Sequence, residues 1–247
     1  MIKAVNLTKV FRDRRRGEVR AVDGLDLECR EGRVFGLLGP NGAGKTTTLR
    51  LLSTILKPTA GTAEVNGYDL ATQPEKVRSQ VGFLSGDTRL YDRLTPREIF
   101  YYFGRLSGMG DDLIGSRTEE VFDMLRMGKY ADTRCGRLSS GMKQKVSIAR
   151  TIVHDPPVMI MDEPTAGLDI MATRTVVQFI RECRDAGKCT VLSTHIMTEA
   201  EKLCDDIAVI DEGRIKGSGT LDGLLKKTGA QDLEDAFIKI VGEEKGS

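Results

Sequence analysis

The chain lacks what would carry it across a membrane or tie it to nucleic acid. In 247 residues no apolar run approaches the ~18 residues that a membrane-spanning helix needs. The N-terminus also lacks the pattern of a secretory leader. If the protein works at a membrane, another chain must supply the membrane part. Charge of one sign is missing too: 37 Lys and Arg face 36 Asp and Glu, so no global field draws the chain to nucleic acid or anionic lipid. The five cysteines (Cys29, Cys135, Cys183, Cys189, Cys204) are odd in number and form no C-x-x-C pair. Their plain reading is free thiols in a reducing cytosol. There are no internal repeats and no low-complexity linker. A composition that is 40% hydrophobic and 30% charged predicts one large globular domain, or one domain with an inserted lobe.

What is present begins with glycines in a particular order. Gly39-Pro40-Asn41-Gly42-Ala43-Gly44-Lys45-Thr46 fits G-x-x-x-x-G-K-[ST]. The apolar run Val34-Phe35-Gly36-Leu37-Leu38 before it reads as a buried strand. Thr46 to Leu56, carrying Leu49, Leu51, Leu52, Ile55 and Leu56, reads as a mostly buried helix. A glycine-rich loop between strand and helix lets backbone N–H groups turn inward around a phosphate chain, and the helix N-terminus adds the positive end of its dipole. Lys45 can reach the β- and γ-phosphates, and the Thr46 hydroxyl can ligate Mg2+.

Around this loop the pattern is mixed α/β. Residues 2–29 read as a β-hairpin region, since Val5, Leu7, Leu25, Leu27 and Cys29 alternate with polar neighbours. Between its arms, Arg12-Asp13-Arg14-Arg15-Arg16-Gly17 is a basic turn, either a solvated loop tip or a contact for phosphate or lipid headgroups. Phe11, just before it, can stack on a nucleotide base or pack into the sheet. Thr62 to Val65 is a strand closed by the Asn66-Gly67 turn, Pro74 to Gln80 a short helix, and Val81 to Leu84 another strand. From about 91 to 134 the strand pattern stops and an inserted helical lobe takes its place. Thr95-Pro96-Arg97-Glu98 is a capping box, and Ile99, Tyr102, Phe103 and Leu106 form an apolar stripe expected to face the core. Ser116 to Leu125 continues helically. Beyond 138, helices (142–153, 171–184, 197–204) alternate with apolar strands (158–161, 190–193, 207–210), which means βαβ units and a parallel sheet. Helices 221–227 and 233–241 form a tail.

Three further stretches carry chemistry. Asp162-Glu163 follows four apolar residues, so both carboxylates emerge at the C-terminal end of a buried strand, where ligand sites of parallel α/β sheets lie. Successive residues point to opposite sides, so the two acids differ in role. Asp162, facing Lys45 and Thr46, suits Mg2+ coordination through water; Glu163, facing the γ-phosphate, suits a general base or a positioner of the attacking water. Thr194-His195 ends another strand at the same edge, where an imidazole can hydrogen-bond a γ-phosphate oxygen. Leu138-Ser139-Ser140-Gly141-Met142 places a serine cap and a glycine at a helix start, a second anion-binding site. Two such sites in one chain suggest one γ-phosphate gripped from two sides by two copies arranged head to tail.

Taken together, these stretches resemble the ATP-binding-cassette (ABC) ATPase family, in family order and across residues 2–218. The matches are the Walker A loop Gly39–Thr46, the signature 138–144, the Walker B strand Val158–Glu163, the D-loop Ala166-Gly167-Leu168-Asp169 and the switch His195. The resemblance implies a P-loop NTPase of ABC-ATPase type: a RecA-like parallel sheet core with an N-terminal antiparallel β region and an inserted helical subdomain. It implies one cassette, with 1–90 and 135–218 as the core, 91–134 as the lobe and 219–247 as the tail. It further implies ATP with Mg2+ held by Thr46 and Asp162, and nucleotide contacts from Gly39 through Thr46, Thr47, Phe11 (in the place of the adenine-stacking aromatic) and Asp169. Ser139 and Gly141 would close the site of a second copy in a homodimer. Lys45, Glu163 and His195 would serve catalysis, and the lobe would dock on a multi-span membrane permease at the inner face of the cell membrane. One departure stands out: the Gln that usually follows the strand 81–84 is absent, with Gly86 in its place within Ser85-Gly86-Asp87. Finer resemblance is to the sodium-exporting (NatA-like) branch, through Gly36-Leu37-Leu38-Gly39, Leu90-Tyr91-Asp92-Arg93-Leu94-Thr95, Gly141–Val146, Thr194-His195-Ile196-Met197 and the missing Gln. Export of drugs or polysaccharide is the alternative within the family. An ATP-dependent clamp in cofactor assembly or repair is the alternative outside transport; the short chain, the missing coiled-coil insert and the balanced charge weigh against it.

Overall fold

The computed structural model describes residues 1–13, 17–85 and 89–242. It opens with two long strands, β1 (Ile2–Asp13) and β2 (Gly17–Cys29), paired antiparallel from Ile2 opposite Cys29 to Asp13 opposite Gly17. The centre of the basic turn, 14–16, lies outside the described residues. The wholly buried β3 (Val34–Leu38) leads into α1 (Lys45–Leu52). Then come β4 (Ala60–Val65), β5 (Tyr68–Asp69), α2 (Pro74–Gln80) and β6 (Val81–Ser85). The helical segment holds α3 (Pro96–Leu106) and α4 (Asp111–Met124). After it the chain alternates through α5 (Ser140–Thr151), β7 (Val158–Asp162), α6 (Ile170–Asp185), β8 (Cys189–Thr194), α7 (Met197–Leu203) and β9 (Asp206–Asp211). It ends with β10 (Arg214–Gly219), α8 (Leu221–Thr228) and α9 (Leu233–Gly242).

Two sheets result. A four-stranded antiparallel sheet runs β2-β1-β4-β5, and a six-stranded sheet runs β10-β9-β3-β8-β7-β6, parallel except for β10. The parallel strands read as continuous apolar runs because both faces are covered. On one face, Phe35, Leu37 and Ile160 pack with α1 and with the inward side chains of the antiparallel sheet. On the other, Leu84, Met159, Met161 and Leu192 meet α4, α5 and α6. A third, smaller cluster seats the tail: Leu224 and Leu233 pack on Leu38, Ala200 and Val209.

Two local expectations are corrected. The helix after the phosphate loop stops at Leu52 rather than Leu56, because Thr54 adopts a left-handed φ of 59° and Leu56 N–H turns back to Arg50 O at 3.0 Å. Ile55 is consequently 55% exposed rather than buried. In α3 the capping box forms as expected, with Glu98 N–H donating to Thr95 Oγ1 at 3.2 Å and Thr95 N–H donating to Glu98 Oε2 at 2.8 Å. Its buried face, however, is Ile99, Phe100 and Gly104, not the stripe through Tyr102 and Leu106, which are 52% and 69% exposed. The cause is Gly104: a Cβ there would stand 2.8 Å from Ile114 Cγ1, so α4 approaches on that side and turns the helix about it. Phe100 then meets Phe122 edge to face, ring centres 5.5 Å apart.

This rotation is testable by urea unfolding. Phe100→Ala should lower the unfolding free energy by about 3–5 kcal/mol, whereas Tyr102→Ala, two residues away, should change it by less than about 0.5 kcal/mol.

Candidate active site

In the parallel sheet β8 lies between β3 and β7, with Leu38 opposite Thr194 and Ser193 opposite Asp162. Three loops therefore leave the same sheet edge side by side, at the C-terminal ends of the strands. The first is the phosphate loop. Gly39 must be glycine because a Cβ would stand 2.2 Å from Ile210 O; Gly44 must be because its φ is 106° and a Cβ would stand 2.3 Å from Ala21 O. Ala43 is buried, and its carbonyl accepts from Gly213 N–H at 2.9 Å, fastening the loop to the β9–β10 turn.

Lys45 is only 4% exposed. Its Nζ donates to Gly39 O at 2.8 Å and Pro40 O at 3.0 Å, and Glu163 Oε1 lies 3.5 Å away. A buried ammonium needs such compensation, since an unpaired charge in the interior is costly. The adjacent Thr46 hydroxyl donates to Asp162 Oδ1 at 3.0 Å. The same oxygen accepts from Ser193 Oγ at 2.7 Å, and Ser193 Oγ in turn accepts from Glu163 N–H at 3.0 Å. The fully buried Ser193 thus holds both acids. In the sequence Ser193 is one residue of the strand 190–193, and its only signal is a polar side chain in an apolar strand, one step before Thr194-His195.

Asp162 and Glu163 do part company. Asp162 ends the strand facing Thr46, while Glu163 takes a left-handed φ of 45°, a strained conformation for a residue with a Cβ. That twist turns the Glu163 carboxylate toward Lys45 and toward His195, whose Nδ1 is 3.2 Å from Oε1. Lys45, Thr46, Asp162, Glu163 and His195 are therefore one constellation. Thr46 and Asp162 offer hard oxygen atoms of the kind Mg2+ takes, and among the described residues no group of three or more His, Cys, Asp or Glu forms a metal cage. Such a donor set fits a Mg2+ whose remaining ligands are phosphate oxygens and water.

The cavity at the loop is small, about 150 Å³, bordered by Ala21, Asn41, Gly42, Thr47 and Glu163 beside Lys45 and Thr46. Phe11 is not on its wall. It stands 39% exposed on β1 with the Lys9 ammonium 5.2 Å from its ring centre, so it does not pack into the sheet core. The remaining candidates form a second group. Ser139 caps α5, accepting from Met142 N–H at 3.3 Å. Gly141 follows, and a Cβ there would meet nothing within 4 Å. Asp169 caps α6 through Ala172 N–H at 2.9 Å and accepts from Ser140 Oγ at 2.5 Å, a bond that holds its carboxyl below the usual carboxylate range. Among the described residues no hydrogen bond or ion pair joins Ser139, Gly141 or Asp169 to Lys45, Thr46, Asp162 or Glu163. Gly86 and Asp87, the expected place of the missing Gln, lie outside the described residues; Ser85 is buried opposite Asp162.

Comparison with known proteins bears on this arrangement. The family model described as ABC transporter matches residues 22–166. The ABC transporter ATP-binding protein NatA of Bacillus subtilis (strain 168) is 39% identical over 239 residues, covering 96% of this chain and 97% of that protein. The daunorubicin/doxorubicin resistance ATP-binding protein DrrA of Streptomyces peucetius is 38% identical over 232 residues, covering 94% of this chain and 69% of that protein. Among solved structures, the dimeric post-hydrolysis state of the ATP-binding cassette MJ0796 bound to ADP and Pi superposes with a TM-score of 0.78 at 25% identity, covering 90% of this chain and 99% of that one.

The double role of Ser193 predicts the effect of its loss. Ser193→Ala strands the Glu163 N–H and removes a donor from Asp162, and should lower the urea unfolding free energy by about 1–3 kcal/mol.

Proposed function

This chain belongs to the ABC transporter family, as an ATP-hydrolysing cassette, and we propose that it powers Na+ efflux through a separate membrane subunit. The observation that carries the reading is the split of the candidate residues. Lys45, Thr46, Asp162, Glu163 and His195 converge at one sheet edge, while Ser139 and Gly141 stand apart, with open space at the Gly141 Cα. A cavity of about 150 Å³ is too small to enclose a nucleotide, since ligand sites commonly span ~300–1,000 Å³. The site is accordingly half a site, closed when the signature helix of a second copy faces the phosphate loop head to tail. Gly141 fits this role: among the described residues nothing crowds a Cβ there, whereas an approaching phosphate would.

Each residue then has a task. Backbone N–H groups within 41–46 and the Lys45 ammonium bind the phosphates, with Thr47 beside them. Thr46 and Asp162 would hold Mg2+, which would supply charge neutralisation to the phosphates when bound. When the γ-phosphate takes Lys45 as its partner, Glu163 is freed to accept a proton from the attacking water, in line with the leaving group. His195, touching Glu163, orients that carboxylate and donates to the γ-phosphate. Ser139 and Gly141 from the other copy complete the anion's shell. Phe11, exposed on β1, is available to stack on the base, and Asp169 positions the signature helix through Ser140.

Among the described residues no helix is long and apolar enough to cross a membrane. We place the cassette at the cytoplasmic face, working through a permease docked on the helical lobe 91–134. There Tyr91, Tyr102, Leu106 and Leu113 are each more than half exposed, an apolar surface of the kind that marks a partner. Residues 1–90 and 135–218 form the nucleotide core and 219–247 the tail. Sodium rather than drug export is favoured by the NatA-like stretches Leu90–Thr95, Gly141–Val146 and Thr194–Met197, and by the NatA relative at 39% identity across 96% of this chain.

Glu163→Gln should keep ATP binding, accumulate an ATP-bound dimer on gel filtration and lower turnover by about 100-fold or more; wild-type turnover in that variant would sink the base assignment. The cargo is read by co-purifying the permease and measuring ATP-dependent 22Na+ movement in vesicles, where movement of an anthracycline instead would overturn the sodium reading.

A further inference from the structure

The loops that carry Glu163 and His195 leave different strands, so nothing covalent nearby fixes the distance between them. Ser193 ties the backbone of Glu163 to the strand before His195; a second side chain ties the two loops beyond it. Glu199, half-buried on α7 four residues after His195, accepts two hydroxyl hydrogen bonds. Its Oε1 takes the Thr165 hydroxyl at 2.6 Å and its Oε2 takes the Thr194 hydroxyl at 2.5 Å. Thr165 lies two residues after Glu163, and Thr194 immediately precedes His195. Both threonines are more than nine-tenths buried, at 9% and 2% exposure. Thr194 Oγ1 also accepts from Ile196 N–H at 3.0 Å, which sets the turn on which His195 stands. The connections close a ring: Glu163, Thr165, Glu199, Thr194, His195, and back to Glu163 across 3.2 Å.

The anchor of this ring is itself held. Ala200 and Leu203 of α7 are buried, and Glu201 Oε1 on the same helix accepts from Leu233 N–H of the tail at 3.1 Å. Glu199 does not face the phosphate loop, and it is absent from the wall of the cavity there. A purely packing role would be served by an apolar side chain without the cost of desolvating a carboxylate. What a carboxylate adds is two strong, directional acceptors separated by a fixed bite.

We infer that Glu199 is a positioning residue for ATP hydrolysis, setting the separation of Glu163 and His195 without touching the nucleotide. The inference rests on the reading of Glu163 and His195 given above and adds a residue to it. Displacing a reacting group by about 1 Å can cost ~100-fold in rate, so loss of the clamp falls on kcat.

The test uses the full chain, with ATP affinity, steady-state turnover and the unfolding midpoint measured on each variant. Glu199→Ala and Thr165→Val should each lower kcat about 10- to 100-fold while the Kd for ATP stays within about twofold. Thr165→Ser, which keeps the hydroxyl, should retain most of the rate. The double variant Glu199→Ala/Thr165→Val should be no slower than the slower single one, because both break the same bridge. Should Glu199→Ala fail to fold, the Thr165→Val and Thr165→Ser pair carries the comparison. Wild-type kcat in Glu199→Ala or in Thr165→Val overturns the inference, as does an equal fall of ATP affinity and rate in folded variants. If the wild type turns over and Glu163→Gln does not, such a result removes only the role of Glu199; a wild type without ATPase activity removes the underlying reading as well.

Discussion

A buried ammonium organises this molecule. Lys45 is 4% exposed, and its charge is tolerable only because two carbonyls of its own loop and the Glu163 carboxylate face it. That arrangement demands a loop that folds back on itself, which is why Gly39 and Gly44 press against Ile210 O and Ala21 O where no Cβ fits. It demands a neighbouring strand that delivers an acid at the right height, which β7 does through the register of Asp162 with Ser193. It also makes the lysine an exchangeable partner. On the proposed reading, a phosphate replaces Glu163 at the ammonium and the carboxylate becomes available to water, so binding and activation of the base are one event.

On the proposed reading, the same constraint leaves the site unfinished within one chain. On that reading the phosphate loop neutralises one side of a phosphate chain, and among the described residues no hydrogen bond or ion pair joins the start of α5 to it. The D-loop residue Asp169 is bound to Ser140, so the end of the catalytic loop from β7 and the start of the signature helix are mechanically joined. On the proposed reading, a movement that brings a second copy's α5 over the phosphate is thereby felt at both ends of the loop carrying Glu163. The helical segment exposes Tyr91, Tyr102 and Leu106, the surface that the proposed reading assigns to a membrane partner.

Much of this was legible in the sequence, and the rest was not for a consistent reason. The phosphate loop, the alternation of strands with helices, the capping box at Thr95 and the acids at the end of 158–162 are local patterns, and each stands where the sequence placed it. What escaped were relations between segments. Ser193 holds two acids thirty residues before it, and Glu199 bridges Thr165 and Thr194; neither has a local signature. The face of α3 was misread because periodicity cannot weigh a glycine: the close approach of Ile114 to Gly104 decides the rotation, leaving Tyr102 and Leu106 outside. The end of α1 was misread because Thr54 adopts a backbone conformation that its residue type does not advertise.

The central claim is that the phosphate loop of one copy is completed by the signature helix of another. Mixing two inactive variants, Lys45→Ala and Gly141→Asp, tests it directly. A mixed dimer would contain one site with both defects and one site with none, so the account predicts that ATPase activity reappears on mixing. If Ser139 and Gly141 instead served the loop of their own chain, every site in the mixture would carry a defect. Activity that stays at the level of the separate variants would contradict the account.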